Sequence, residues 1–121
     1  MELQTHFAAG RAAEIVGPVA LEHDREFRRL GMVYAAENSL AIMEKDEKTK
    51  AYCDAYTRGI NAYVESLNAA TLPLEYKLMG YAPEKWNNLK TALFMKYISF
   101  DLAGHDNDFE MTNAQAFFGQ M

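Results

Sequence analysis

Between Asn88 and Ala103 the chain reads NLKTALFMKYISFDLA, a helical period with almost no polar side. Leu89, Ala92, Leu93, Tyr97 and Phe100 fall on one side of such a helix, while Phe94, Ile98 and Leu102 fall on another. A helix apolar nearly all round belongs inside a larger body, and a 121-residue chain seldom has enough layers to wrap one completely. Part of this helix should therefore be covered by something outside the chain.

The other segments keep the same period. Leu3, Phe7, Ala8, Ala12, Ile15 and Val16 predict a first helix over 1–16, ended by Gly17-Pro18. Pro18 suits the first turn of a second, running to Leu30 before Gly31, on which Asp24 and Arg28 stand four apart as an exposed, solvated pair. Residues 32–46 are rich in helix formers up to Glu37, and Asn38-Ser39 then predicts a bent or two-part helix. The clearest helix spans Asp46 to Asn68, capped by Asp46. Its stripe of Tyr52, Tyr56, Gly59, Ile60, Tyr63, Val64 and Leu67 contains a glycine whose place predicts close approach of another helix. Pro73, Gly80 and Pro83 break 70–86 into a packed connection with one short helical turn. No period-two alternation lasts long enough for a strand. The expectation is an all-α fold, one helical domain over 1–121 with about five helices.

Charge narrows the partners. Twelve basic against seventeen acidic residues give −5, and no basic run exceeds two residues, which excludes a nucleic-acid footprint and a polybasic membrane patch. No apolar run approaches the roughly 20 residues of a bilayer span, and MELQTHFAAGR lacks the features of a signal peptide. Cys53 alone makes no intrachain disulfide.

Catalytic patterns are absent. Ser39, Ser66 and Ser99 lack the GxSxG elbow and a histidine at helical spacing. Cys53 beside Asp54 reads as an inert helix cysteine. His6, His23 and His105 are scattered, without HExxH, CxxC or Glu-x-x-His. HDNDFE offers Asp106, Asp108 and Glu110 as hard oxygen ligands, but an EF-hand loop counted from Asp106 would need glycine and glutamate where Met111 and Phe117 stand. By spacing alone it is a solvated acidic turn.

Four segments together resemble the α-chain of penicillin acylases, members of the N-terminal-nucleophile hydrolases. They are MELQTHFAAGRAAEIVG, LEHDREFRRLG with Arg28, AYTRGINAY (55–63) and LPLEYKLMGYAPEKW (72–86), in order. The resemblance implies an αββα sandwich cut autoproteolytically from one precursor. The catalytic serine would start a β-chain that no segment here matches, leaving this chain inactive by itself and without catalytic residues. It implies hydrolysis of an acyl amide of penicillin or acyl-homoserine-lactone type, and a periplasmic or secreted location. Glu110, followed by Met111, Thr112 and Asn113, is similar to an α-chain glutamate that helps bind a structural calcium, its other ligands coming from the β-chain. Around Ser99 to Ala103 the family's acyl-pocket side chains are not reproduced, so no pocket residue carries over. The chain begins in mid-motif, and Asn87-Asn88 replace the usual start of the next helix, which suggests an excised fragment. The expected partners are the β-chain and a small acyl amide, with self-association of the fragment through the 89–103 helix. The competing expectation is a small helical protein-interaction module with no enzymatic parent.

Overall fold

The computed structural model describes residues 1–103 and 107–119. Among these, every regular element is helical: α1 (Glu2–Ala9), α2 (Ala13–Val16), a 3-10 turn (Pro18–Ala20), α3 (Leu21–Leu30), α4 (Met32–Met43), α5 (Glu47–Ser66), α6 (Leu74–Met79), α7 (Asn88–Ala103) and α8 (Asp108–Phe118). The all-α class holds, but the helices are more numerous than the sequence pattern implies.

The first extra break is at Gly10, inside the stretch expected to be one helix. Gly10 sits at φ 63° and closes α1, its N–H donating to Phe7. A side chain there is impossible without movement, because a Cβ would lie 2.6 Å from the Asp24 carbonyl oxygen and 2.7 Å from Arg28 Cγ. The restarted helix is held from α3. The buried Asp24 carboxylate accepts the N–H groups of Ala12 at 2.8 Å and Ala13 at 2.9 Å, and Arg28 Nε donates to the Gly10 carbonyl at 2.9 Å. Asp24 and Arg28 thus form no solvated pair with each other; each satisfies backbone groups freed by the break. The periodicity of 1–16 could not reveal this, since both halves present apolar residues at compatible spacing.

Asn38-Ser39 produces no bend. α4 runs through both, because Met32, Ala36 and Leu40 pack on the core and override the weak local preference. That core consists of Ala8, Met32, Ala36, Ala92 and Leu93, flanked by Phe27, Val33, Leu89 and Tyr97. Alanine at positions 8, 36 and 92 lets α7 lie close against α1 and α4. The chain itself covers the first half of α7. Beyond it Met95, Phe100 and Leu102 stand exposed, Leu102 by 75%.

α5 begins as expected, with Asp46 accepting the Thr49 N–H at 2.8 Å. Gly59 does not: it is exposed, and a Cβ built on it meets nothing within 4 Å among the described residues. The close approach that its place in the stripe predicts is not made there. Among the described residues, no helix is long and apolar enough to cross a membrane.

Candidate functional site

Three distant stretches meet at one place: the first two residues, the second half of α5, and residues 73–86. Asn61 makes the join. Its Oδ1 accepts the Trp86 N–H at 2.7 Å and its Nδ2 donates to the Trp86 carbonyl at 3.0 Å, so one carboxamide fixes an extended peptide unit against a helix. The Trp86 indole is buried, its Nε1 donating to Thr91 Oγ1 at 2.9 Å. A turn earlier on α5, Thr57 donates to Asn88 Oδ1 at 2.6 Å, and Asn88 Nδ2 donates to Asp54 at 2.7 Å. The start of α7 is thereby pinned as well.

Between these walls lies an apolar groove of about 650 Å³. Tyr56, Ile60 and Tyr63 of α5 and Leu67 just beyond it form one side, and Pro73, Pro83 and Trp86 the other. Tyr56 is 44% and Tyr63 60% exposed.

The groove's inner end is a charge cluster. Glu2 is buried, its Oε1 accepting the Glu84 N–H at 2.6 Å and its Oε2 the Tyr76 hydroxyl. Burial and that carboxylate push the Tyr76 phenol well above its usual range. Glu84 accepts from Arg11 Nη2 and from Lys90 Nζ, each at 2.7 Å. Hydrogen bonds from Arg11, then Lys90, draw the Glu84 carboxyl down to about 2. The buried His6 ring donates from Nδ1 to the Glu2 carbonyl at 3.1 Å and sets Nε2 3.5 Å from Glu84.

Glu2, His6 and Glu84 bring ligand atoms within 4.8 Å of one another, the spacing a metal ion needs. The charges decide against one. Arg11 and Lys90 already supply two cations to Glu84, and Glu2 spends both oxygens on Glu84 N–H and Tyr76. A metal ion would have to displace a guanidinium and an ammonium group from a partly buried site, so the cluster is an ion-pair network that ties α1 and Arg11 to residues 84–90.

The acidic motif near the C-terminus behaves differently from a loop. Asp108 and Glu110 lie in the first turn of α8, both exposed, and His105 and Asp106 lie outside the described residues. Two positions apart on a helix, Asp108 and Glu110 project to different sides and make no joint site, so any ion held by Glu110 takes its other ligands from elsewhere. The serines with visible partners are not poised for attack: Ser66 donates to the Tyr63 carbonyl and Ser99 to that of Met95. Cys53 is half-buried on α5. His23 lies between the rings of Phe7 and Phe27, at 4.8 and 4.1 Å, and its Nε2 finds no partner among the described residues.

Sequence reasoning missed Glu2, Asn61 and Glu84 as a connected set. Each falls within a quoted segment, but nothing in a linear pattern tells a carboxamide in a helix that its partner is a backbone 25 residues away.

The family described as "Penicillin amidase" matches residues 1–120. An acyl-homoserine lactone acylase, QuiP of Pseudomonas aeruginosa, is 36% identical over 96 residues, covering 79% of this chain and 11% of that protein. A penicillin acylase 2 proenzyme of Pseudomonas sp. strain SE83 is 41% identical over 86 residues, 71% of this chain and 11% of that protein. A penicillin G acylase of Escherichia coli is 23% identical over 96 residues. The chain spans about a tenth of the length of the curated relatives it matches.

Proposed function

Because the chain belongs to the penicillin amidase family, we propose that it is the helical scaffold of an acylase that hydrolyses the amide between a carboxylic acyl group and an amine. The observation that carries this reading is the groove itself. The segments 55–63 and 72–86, together with the Met-Glu start, are spent on hydrogen bonds to one another and on an apolar surface.

In this reading the reaction belongs to a serine at the start of a β-chain cut from the same precursor. Its hydroxyl attacks the amide carbon while its own α-amine takes the hydroxyl proton and passes it to the amine, which leaves as the C–N bond breaks; water then cleaves the acyl–serine ester, releasing the carboxylic acid and the free serine. The whole enzyme has the αββα sandwich of N-terminal-nucleophile hydrolases, works in the periplasm or outside the cell, and takes penicillin-type or acyl-homoserine-lactone-type amides. The 121-residue chain holds the surrounding structure in place and is inactive alone. Glu110 fits a calcium site only as one oxygen donor among several, the remainder coming from the β-chain. A stand-alone interaction module loses its ground, since the chain shares a family with acylases.

The test is amine release from benzylpenicillin and from an N-acyl-homoserine lactone. The purified chain should give none above buffer. The complete reading frame that encodes it should give turnover together with a new chain beginning in serine. Turnover that tracks with the purified chain, or a complete reading frame without amide hydrolysis, overturns the proposal.

A further inference from the structure

We propose that the cavity enclosed by α1, α3, α4 and the first turns of α7 binds a small monocarboxylate that carries an apolar tail, with the Arg28 guanidinium and the Lys90 ammonium holding the carboxylate. The site stands apart from the acylase role and depends on none of its chemistry.

The donors are the first argument. Arg28 spends only its Nε, on the Gly10 carbonyl at 2.9 Å. Asp24, one turn before it on α3, gives both carboxylate oxygens to the N–H groups of Ala12 and Ala13, so among the described residues the terminal nitrogens of Arg28 have no acid to pair with. Lys90 Nζ has one close acceptor, Glu84 at 2.7 Å, with Glu2 farther off at 3.8 Å. Arg11 differs, being hydrogen-bonded to both Glu14 and Glu84. All three cations line the cavity, and no carboxylate lines it. Cations with donors to spare and no acid between them attract an anion, and the planar fork of an arginine matches the two oxygens of a carboxylate.

The walls select the rest of the ligand. The cavity measures about 320 Å³, at the lower end of the roughly 300–1,000 Å³ that small-molecule sites span. Ala9, Val33 and Leu93 give it an apolar side opposite in character to the cationic one. An inorganic anion would leave that side in contact with water, whereas a ring or short chain attached to the carboxylate covers it. The frame is already set. Leu93 is buried in the core, Arg28 is tied to Gly10, and the Lys90 N–H donates to the capping Asn87 side chain at 2.8 Å, so little ordering is left for binding to require.

Titration calorimetry of the 121-residue chain with phenylacetate tests the site. One saturable site is expected, with acetate and inorganic sulfate each binding at least about tenfold more weakly because they lack the tail. Arg28→Met should weaken phenylacetate by about tenfold or more. Arg25→Met removes the same charge from the same helix at a position outside the cavity, and should change the affinity by less than about twofold. Val33→Phe leaves every cation in place and fills the apolar side, so it should abolish binding; it decides the matter if circular dichroism shows that Arg28→Met does not fold. No saturable binding to the wild-type chain, acetate or sulfate binding as tightly as phenylacetate, or an affinity that survives in a folded Arg28→Met or Val33→Phe chain overturns the proposal.

Discussion

Asp24 stands out among single residues because its buried carboxylate accepts two backbone N–H groups of the restarted helix, those of Ala12 and Ala13. Asp24→Ala should destabilise the chain by about 1–3 kcal/mol in urea unfolding, and Asp24→Asn by less, since one oxygen remains. Gly10→Ala should be more damaging than Gly80→Ala. Both have φ of 68° or less in the left-handed region, but only at Gly10 does a Cβ run into backbone. The comparison of the two melting temperatures checks this. Glu84 gives a pH dependence. Its folded carboxyl titrates at about 2, below the ordinary 4.5. Above 4.5 both folded and unfolded states are ionised and the network contributes fully. As pH falls from 4.5 toward 2 the unfolded chain takes up the proton first, and stability drops. Glu84→Gln should flatten that part of the pH–stability curve; an unchanged slope would show that Arg11 and Lys90 do not hold the carboxylate.

Elements were legible in the sequence where a long apolar stripe or a capping residue marked them. Asp46 to Asn68 and Asn88 to Ala103 were read nearly to the residue, since long apolar stripes and a capping aspartate leave little choice. The break at Gly10 was not legible, because its cause is Asp24, on another helix. α8 was hidden for the opposite reason. Its acidic first turn reads as a loop, and its described residues are all exposed, so no apolar face announces it. Of the candidate site, the quoted segments contained the right residues without their connection. Asn61→Leu tests that connection. It removes both hydrogen bonds to Trp86 and leaves a part-buried N–H unsatisfied, which should cost about 1–3 kcal/mol. Trp86 is the chain's single tryptophan and is buried, so its emission should shift to the red as the indole gains water.

Taken as a whole, the molecule is well covered at its centre and bare toward its C-terminal end. Phe100, Leu102, Phe109, Met111, Phe117 and Phe118 are all exposed, and exposed apolar side chains in such number favour association. Sedimentation should show concentration-dependent association that Leu102→Glu weakens; a strict monomer at high concentration would contradict this. The centre carries a different consequence. The Asn61–Trp86 clasp joins residues 25 apart, whereas the Glu2–Glu84 hydrogen bond joins residues 82 apart. Closing the longer loop costs about 1 kcal/mol more chain entropy, so α5 and the Trp86 strand of chain should find each other before α1 arrives. Substitutions at Asn61 should then slow refolding, while substitutions at Glu2 should leave the refolding rate nearly untouched and hasten unfolding. The two ends of a single groove would thus be written into the chain at different moments of its folding, one as part of the nucleus and one as its final latch.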